Sequence, residues 1–170
     1  MASIVNEWLP PAKGYLPYYM LSLSLLAIGN SAQNFLTLHY SRRMYNGRFV
    51  KNPKLGKATT TYNPEDSVDK LVPATTSQEG IDQMTPVAAR CFATWTFLTS
   101  IVRCYVSYHL SFGPMYDLGI WTYVVALSHF VLELGYFKTM KLGGPQMLPL
   151  MFASSGIVWM INARDFYVEA

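Results

Sequence analysis

Two strongly polar side chains four residues apart, His129 and Glu133, interrupt the otherwise mostly apolar stretch 118–137. That spacing places both on one face of a helix. An imidazole beside a carboxylate can support general acid–base chemistry and can also supply two metal ligands. A catalytic zinc normally takes three protein ligands, and the remaining histidines, His39 and His109, belong at opposite ends of predicted helices. We therefore predict no metal site and keep acid–base catalysis by the pair as an alternative.

The pair lies in one of four apolar blocks that are each long enough to cross a membrane. About 20 residues at 1.5 Å rise span the ~30 Å hydrocarbon core of a bilayer. The 170-residue chain is 51% hydrophobic and only 14% charged, whereas a soluble domain is about 25% charged. We predict an all-α polytopic membrane protein with one domain, 1–170, built as a four-transmembrane-helix bundle. The predicted helices cover about 16–38, 87–110, 117–137 and 145–162.

A polar connector at about 39–86 joins the first two helices, and it is rich in Lys and Arg near its start. It shows no sustained helical or strand period, so we predict a mostly irregular segment. Its basic part could lie on anionic lipid headgroups or remain a solvated loop. Because acidic residues follow the basic ones and the neighbours are apolar helices, we expect no nucleic-acid partner.

The distribution of basic residues predicts the orientation of the chain. The connector and the link between helices three and four, which holds Lys138 and Lys141, belong on the same side. The opposite side carries few Lys or Arg residues. By the positive-inside rule both basic connectors are cytosolic, and the N- and C-termini are lumenal.

The depth of the charged residues predicts an ion pair within the bundle. Counted from the tight link SFGPM, Glu133 lies about 31 Å along its helix and Arg90 about 34 Å along the neighbouring helix. We therefore predict that Arg90 pairs with Glu133, while Gln33 and Asn34 satisfy leftover donors. An intramembrane carboxylate needs such a partner, and the pair is expected to be architectural. The predicted intramembrane polar network comprises Arg90, Glu133, His129, Asn34, Gln33, Asn30 and Arg103.

Arg103 needs a different partner, because it lies only about 14 Å from the SFGPM link. The alternatives are Asp117, Ser22 or Ser24, and the end of helix four near Asn162. The sequence does not choose among them.

Other catalytic signatures are missing from the sequence. There is no dinucleotide-binding, P-loop or nucleophile-elbow motif, and a single intramembrane Glu cannot build a diiron site. Cys91 and Cys104, about 20 Å apart along one helix, cannot form a disulfide and are expected to be buried thiols. We predict no catalytic residue, no cofactor and no enzymatic activity.

Four segments resemble one known family in the same order along the chain: LLAIGNSAQNF, AARCFATWTFLTSIVRC, WTYVVALSHFVLELGYFKT and LPLMFASSGIVWM. They are similar to the ergosterol biosynthetic protein 28 family, and KGYLP at 13–17 resembles its fungal members. The family-like polar positions are Asn30, Gln33, Arg90, Trp95, Thr96, Arg103, His129 and Glu133. Residues 46–84 look longer than the corresponding link of the family.

The resemblance implies a non-catalytic scaffold in the endoplasmic reticulum membrane. The family tethers the sterol C-4 methyl oxidase, the C-3 dehydrogenase (decarboxylating) and the 3-keto reductase, and it is associated with the sterol C-24 methyltransferase. The competing interpretation is a sterol-binding protein or a sterol-modifying enzyme that uses His129 and Glu133. Membrane lipids are expected neighbours, and specific sterol binding and homo-oligomerisation stay open.

Overall fold

The computed structural model describes residues 8–11, 13–53, 71–75 and 78–168. Within these ranges the chain is mostly helical and carries one antiparallel two-stranded ribbon. The helices are α1 (Leu16–Leu36), α2 (His39–Met44), α3 (Pro86–Tyr108), α4 (Gly113–Gly135), α5 (Gly144–Asn162) and α6 (Arg164–Tyr167). The strands are β1 (Phe49–Lys51) and β2 (Leu71–Pro73).

Proline and threonine set the starts of the long helices. A proline occupies the first turn of α1, α3, α4 and α5, where the absent N–H would have no helical partner. Thr85 caps α3 by accepting a hydrogen bond from the Ala88 amide at 3.1 Å. Because Pro114 fits a first turn, α4 begins at Gly113, four residues before the predicted start.

The predicted order of four long helices is present, but their membrane crossing is supported for one of them. Within the part of the chain that the structure describes, α4 alone is both long enough and apolar enough to cross a membrane. Helices α1, α3 and α5 carry more polar or small residues. The structure therefore supports a mostly helical protein with one membrane-span candidate.

The long helices associate as two pairs. Helix α1 packs most extensively against α3, and α4 packs most extensively against α5. One end of the assembly is closed by a core that includes Leu16, Val106, Tyr116 and Met160. There the Tyr116 hydroxyl donates to the Met160 carbonyl at 2.7 Å, which fixes α4 against α5.

The connector is more ordered than the sequence predicts. It contains α2 and the β1–β2 ribbon, in which Val50 pairs with Val72. Arg42 and Arg48 both approach the carboxylate of Asp82, at 3.6 and 3.4 Å. Part of the basic cluster is therefore neutralised within the connector. Residues 54–70, which include three of its lysines, lie outside the described residues.

The cysteine prediction is correct for pairing and wrong for burial. Cys91 and Cys104 are free thiols on α3, but Cys91 is exposed and Cys104 is only partly buried. Both lie on α3, whose outer face is apolar as well as its inner face. The hydrophobicity of a residue on this helix therefore does not predict whether its side chain is buried.

Candidate functional site

Both connectors meet at one end of the helix assembly. The Gly47 amide donates to the Thr139 carbonyl at 2.8 Å, and the Lys141 amide donates to Asn46 Oδ1 at 2.7 Å. The buried Gln146 side chain donates to the Met44 carbonyl at 2.8 Å. These bonds latch the segment after α1 onto the α4–α5 link.

His129 and Glu133 lie directly beneath this latch. The Tyr45 hydroxyl lies 2.7 Å from His129 Nε2, and His129 Nδ1 lies 3.9 Å from Glu133 Oε1. The Thr139 hydroxyl donates to Glu133 Oε2. We call Tyr45, His129, Glu133 and Thr139 the connector-end cluster.

The protonation of Tyr45 determines how this cluster is hydrogen-bonded. Burial raises the pKa of the Tyr45 phenol above its ordinary value of 10.0, and the charge of Glu133 raises it further. The phenol therefore stays neutral. The Glu133 carboxylate lies nearest to His129 Nδ1 and favours the tautomer that carries its proton there, and Nε2 of that tautomer accepts a hydrogen bond from the phenol.

Aromatic rings surround the imidazole. Phe130, Trp95 and Tyr45 place their ring centroids 5.2, 5.4 and 6.0 Å from that of His129. A cavity of about 310 Å³ lies beside the cluster and also reaches Glu133 and Cys91. The imidazole is therefore held in place by rings and one phenol, next to a cavity of moderate size.

The predicted ion pair between Arg90 and Glu133 is wrong. Arg90 is exposed, and none of the ion pairs among the described residues joins it to Glu133. Arg90 and Glu133 lie at similar depths along their helices, but their side chains do not point toward each other. Ala88, Cys91 and Phe92 of α3 line the cavity beside Glu133, and Arg90 points to a different side of the helix.

The polar residues of α1 serve a different part of the molecule. The buried Asn34 donates to the Asn30 carbonyl at 2.8 Å and accepts a hydrogen bond from the Ser41 hydroxyl. It therefore fixes α2 against the end of α1. Gln33 is exposed, and neither amide contributes to the hydrogen bonds of Glu133. The prediction that they satisfy leftover donors of the ion pair is therefore wrong.

Arg103 contacts neighbouring α4, at none of the predicted positions. Its Nε donates to Thr122 Oγ1 at 2.9 Å and its Nη2 donates to the Thr122 carbonyl at 3.0 Å. The guanidinium also stacks over the Tyr123 ring, 4.4 Å from the centroid. Asp117 pairs instead with Arg164 at 3.1 Å.

The other two predicted partners of Arg103 bond within their own helices. The Ser24 hydroxyl donates to the Met20 carbonyl, and the Asn162 amide donates to the Val158 carbonyl.

Arg103 lies on the wall of a second cavity, of about 380 Å³, which we call the mid-bundle cavity. Leucine, alanine and aromatic side chains form most of its wall. Two polar atoms in this wall, Thr96 Oγ1 and the Tyr123 hydroxyl, are buried and have no hydrogen-bond partner among the described residues. An unsatisfied buried polar group costs about 1–3 kcal/mol. The cavity is lined by Leu23, Leu26, Ala27, Asn30, Gln33, Tyr40, Phe92, Trp95, Thr96, Thr99, Arg103, Tyr123, Ala126, Phe130, Leu148, Pro149, Phe152 and Ala153.

These two clusters differ in what they could do chemically. The connector-end cluster contains an acid and a base, and its described residues include no group of three metal-binding side chains. The mid-bundle cavity contains a cation and two free hydroxyl groups in an apolar wall. Sequence reasoning missed Tyr45, Thr139 and Tyr123, because residues from distant segments acquire these roles only when the chain folds.

The fold and these clusters define a mostly helical protein with one membrane-span candidate and with polar groups placed inside an apolar assembly. A family model described as "Erg28 like protein" matches residues 16–158. The Gibberella zeae protein named "Ergosterol biosynthetic protein 28" is 54% identical over 97% of each chain. Relatives with the same name from Candida albicans and Saccharomyces cerevisiae are 35% and 31% identical over 92% and 91% of this chain, and over 90% and 84% of their own.

The chain belongs to this Erg28-like family, whose curated members are named for ergosterol biosynthesis. The family resemblance inferred from the four helical segments is therefore confirmed. No solved structure matches the chain.

Proposed function

We propose that the protein is a non-catalytic scaffold of the endoplasmic reticulum membrane that tethers the enzymes of sterol C-4 demethylation. The enzymes are the sterol C-4 methyl oxidase, the decarboxylating C-3 dehydrogenase and the 3-keto reductase, and the sterol C-24 methyltransferase is a further partner. Membership of a family named for ergosterol biosynthesis supports the pathway. The surface of the helices supports the scaffold role.

The observation that carries this proposal is the exposure of large apolar side chains along all four long helices. Leu26 of α1, Leu98 of α3, Trp121 of α4 and Val158 of α5 are each 60–64% exposed. The helices contain 21, 23, 23 and 19 residues, and about 20 residues cross a bilayer. We therefore propose four spans, whose outer faces contact lipid and the helices of partner proteins.

Small exposed residues provide places for close approach by a partner helix. Gly29 of α1 has no atom within 4 Å of the position that a Cβ would take, and the neighbouring Ala32 is exposed. In lipid, helices associate through close packing of such small residues. Both connectors lie at one end, which in the proposed orientation is cytosolic and available to the catalytic domains of the partners.

The connector-end cluster supports an architectural role for His129 and Glu133. Tyr45 occupies Nε2 of the imidazole, and Thr139 occupies one carboxylate oxygen. A sterol-modifying enzyme is the alternative, because both groups also line the 310 Å³ cavity. In that case a substrate would have to displace Tyr45 to reach His129 Nε2, or Thr139 to reach Glu133 Oε2.

The test is recovery of the sterol enzymes with the full-length protein from microsomes in mild detergent. We expect the three C-4 demethylation enzymes to co-purify, and Gly29→Leu to lower their recovery by blocking close approach. Gly135→Leu is the matched control, because it adds the same side chain in open space on α4. Unchanged recovery with Gly29→Leu argues against this docking face, and absence of the enzymes from the wild-type preparation contradicts the scaffold.

The same preparation tests the alternative. Sterol turnover by protein free of those enzymes, lost in Glu133→Gln, would establish an enzyme instead.

A further inference from the structure

The mid-bundle cavity contains polar groups that the protein itself leaves unsatisfied. The Tyr123 hydroxyl belongs to a side chain that is only 1% exposed, and it has no partner among the described residues. Thr96 Oγ1 lies in the same wall and is likewise unpartnered. Buried polar atoms are nearly always hydrogen-bonded in native proteins, so two such atoms on residues that line one cavity favour a ligand that supplies the bonds when it enters.

The charge of the cavity indicates the chemistry of that ligand. Both hydrogen bonds of the Arg103 guanidinium go to Thr122, from Nε and Nη2, and no described carboxylate lies within ion-pairing distance. Arg103 is half-buried, and a cation without an anion is costly in an apolar environment. A carboxylate is the group that a guanidinium binds best, because its two oxygens match the fork of N–H donors.

The rest of the cavity wall is mostly apolar, so a ligand that binds there should have an apolar body in addition to its charged group. The cavity volume of about 380 Å³ falls within the ~300–1,000 Å³ of small-molecule sites. Leu26 of α1 and Phe152 of α5 line the cavity and are also exposed at the surface. The cavity therefore opens between α1 and α5, on the apolar side of the molecule, where a lipid could enter.

We propose that the mid-bundle cavity binds an apolar lipid carrying a carboxylate, with the carboxylate held by Arg103 and the Tyr123 hydroxyl. Thr96 lies about two helical turns from Arg103 on α3 and offers a further hydroxyl group along the cavity wall. The leucine and aromatic side chains enclose the body of the ligand. A sterol acid and a fatty acid share this chemistry. The choice of a sterol acid rests on the proposed function: complete oxidation of a ring methyl group yields a carboxylate, and a decarboxylating enzyme consumes one.

The test is native mass spectrometry of the full-length protein, purified in detergent and stripped of lipid. Three probes are compared: a sterol with a carboxyl group on its first ring, the same sterol with a hydroxyl group only, and oleate. We expect the sterol acid to bind about tenfold more tightly than the neutral sterol. Arg103→Gln should remove that difference, and Tyr123→Phe should weaken binding of the acid by about threefold.

Two variants separate binding from folding. Tyr123→Phe deletes a hydroxyl that has no protein partner, so a purely structural tyrosine would lose nothing. Arg90→Gln is the matched control for Arg103→Gln, because Arg90 is an exposed arginine on the same helix and does not line the cavity. It should bind all three probes as the wild type does.

The outcomes are distinct. Arg103-dependent binding of oleate alone supports a lipid carboxylate site and identifies a fatty acid as its ligand. Equal binding of acid and neutral sterol, acid binding unchanged in Arg103→Gln, or no binding of any probe overturns the proposal. Recovery of the sterol enzymes is measured in the same preparations, so loss of lipid binding with intact recovery counts against the cavity alone. Intact lipid binding without recovery counts against the scaffold alone.

Discussion

The connector-end cluster and the mid-bundle cavity differ in whether their polar side chains have hydrogen-bond partners among the described residues. In the cluster, His129 is bonded to Tyr45 and Glu133 accepts from Thr139, so two separate segments are fastened to α4. In the cavity, the Tyr123 hydroxyl and Thr96 Oγ1 are buried atoms with no hydrogen-bond partner among the described residues. Satisfied polar groups stabilise and specify a fold, whereas unsatisfied ones cost free energy that function can explain. The difference supports our proposals of a structural role for the connector-end cluster and a binding role for the mid-bundle cavity.

The strongest way to disturb the connector end is through Gly47. A Cβ at this position would lie 2.5 Å from the Lys138 carbonyl oxygen and 2.7 Å from that of Thr139. Gly47→Ala should therefore destabilise the protein by about 3 kcal/mol, because backbone must move. Thermal unfolding in detergent measures this effect. Gly29→Ala, with open space around it, should not destabilise, and an equal loss in both variants would argue against the latch.

Removing the phenol of Tyr45 should have the next largest effect. Tyr45→Phe leaves His129 Nε2 without its donor and should cost about 1–3 kcal/mol. Tyr40→Phe is the control, since no hydrogen bond of the half-buried Tyr40 hydroxyl occurs among the described residues. A melting temperature that is the same for Tyr45→Phe and the wild type would mean that the cluster is not a structural site.

The stability of the protein should depend on pH through the phenol of Tyr45. Burial raises the pKa of Tyr45 in the folded protein above 10.0, so above that pH the unfolded chain loses this proton while the folded protein keeps it. The contribution of the neutral Tyr45 phenol to the free energy of unfolding is complete below pH 10 and is lost as the pH rises above that value. Relative to Tyr45→Phe, the wild type should lose up to about 1.4 kcal/mol per pH unit above pH 10. Parallel curves for both proteins between pH 9 and pH 11 would contradict this.

The smallest effect on stability is expected at Arg103. In the absence of ligand, Arg103→Met replaces a half-buried cation that has no carboxylate partner among the described residues by an apolar side chain of similar length. Stability should change by no more than about 1 kcal/mol, while binding of the lipid carboxylate is lost. Chemical or thermal unfolding of lipid-free protein measures this. A loss as large as that of Gly47→Ala would make Arg103 a structural residue.

Much of the fold follows from the sequence, but the partners of the polar residues do not. The apolar blocks and first-turn prolines locate the four long helices within a few residues, and the grouping of both connectors at one end follows from helix order. The ion pair failed because depth was counted without helical direction, so Arg90 was aligned with a carboxylate that it does not face. Tyr45 contacts His129 and Thr139 contacts Glu133. Both come from connecting segments whose sequences have no periodic pattern that would predict their path.

We propose that Glu133 has an architectural role and does not act in catalysis. Glu133→Gln tests it most directly, because glutamine keeps an oxygen acceptor for Thr139 and cannot act as a base. The measurement is the level of C-4-methylated sterols in cells whose own copy is replaced by this variant. We predict a sterol profile like that of the wild type. Accumulation of C-4-methylated sterols as in cells lacking the protein, with normal protein abundance and normal recovery of the partner enzymes, would contradict the account.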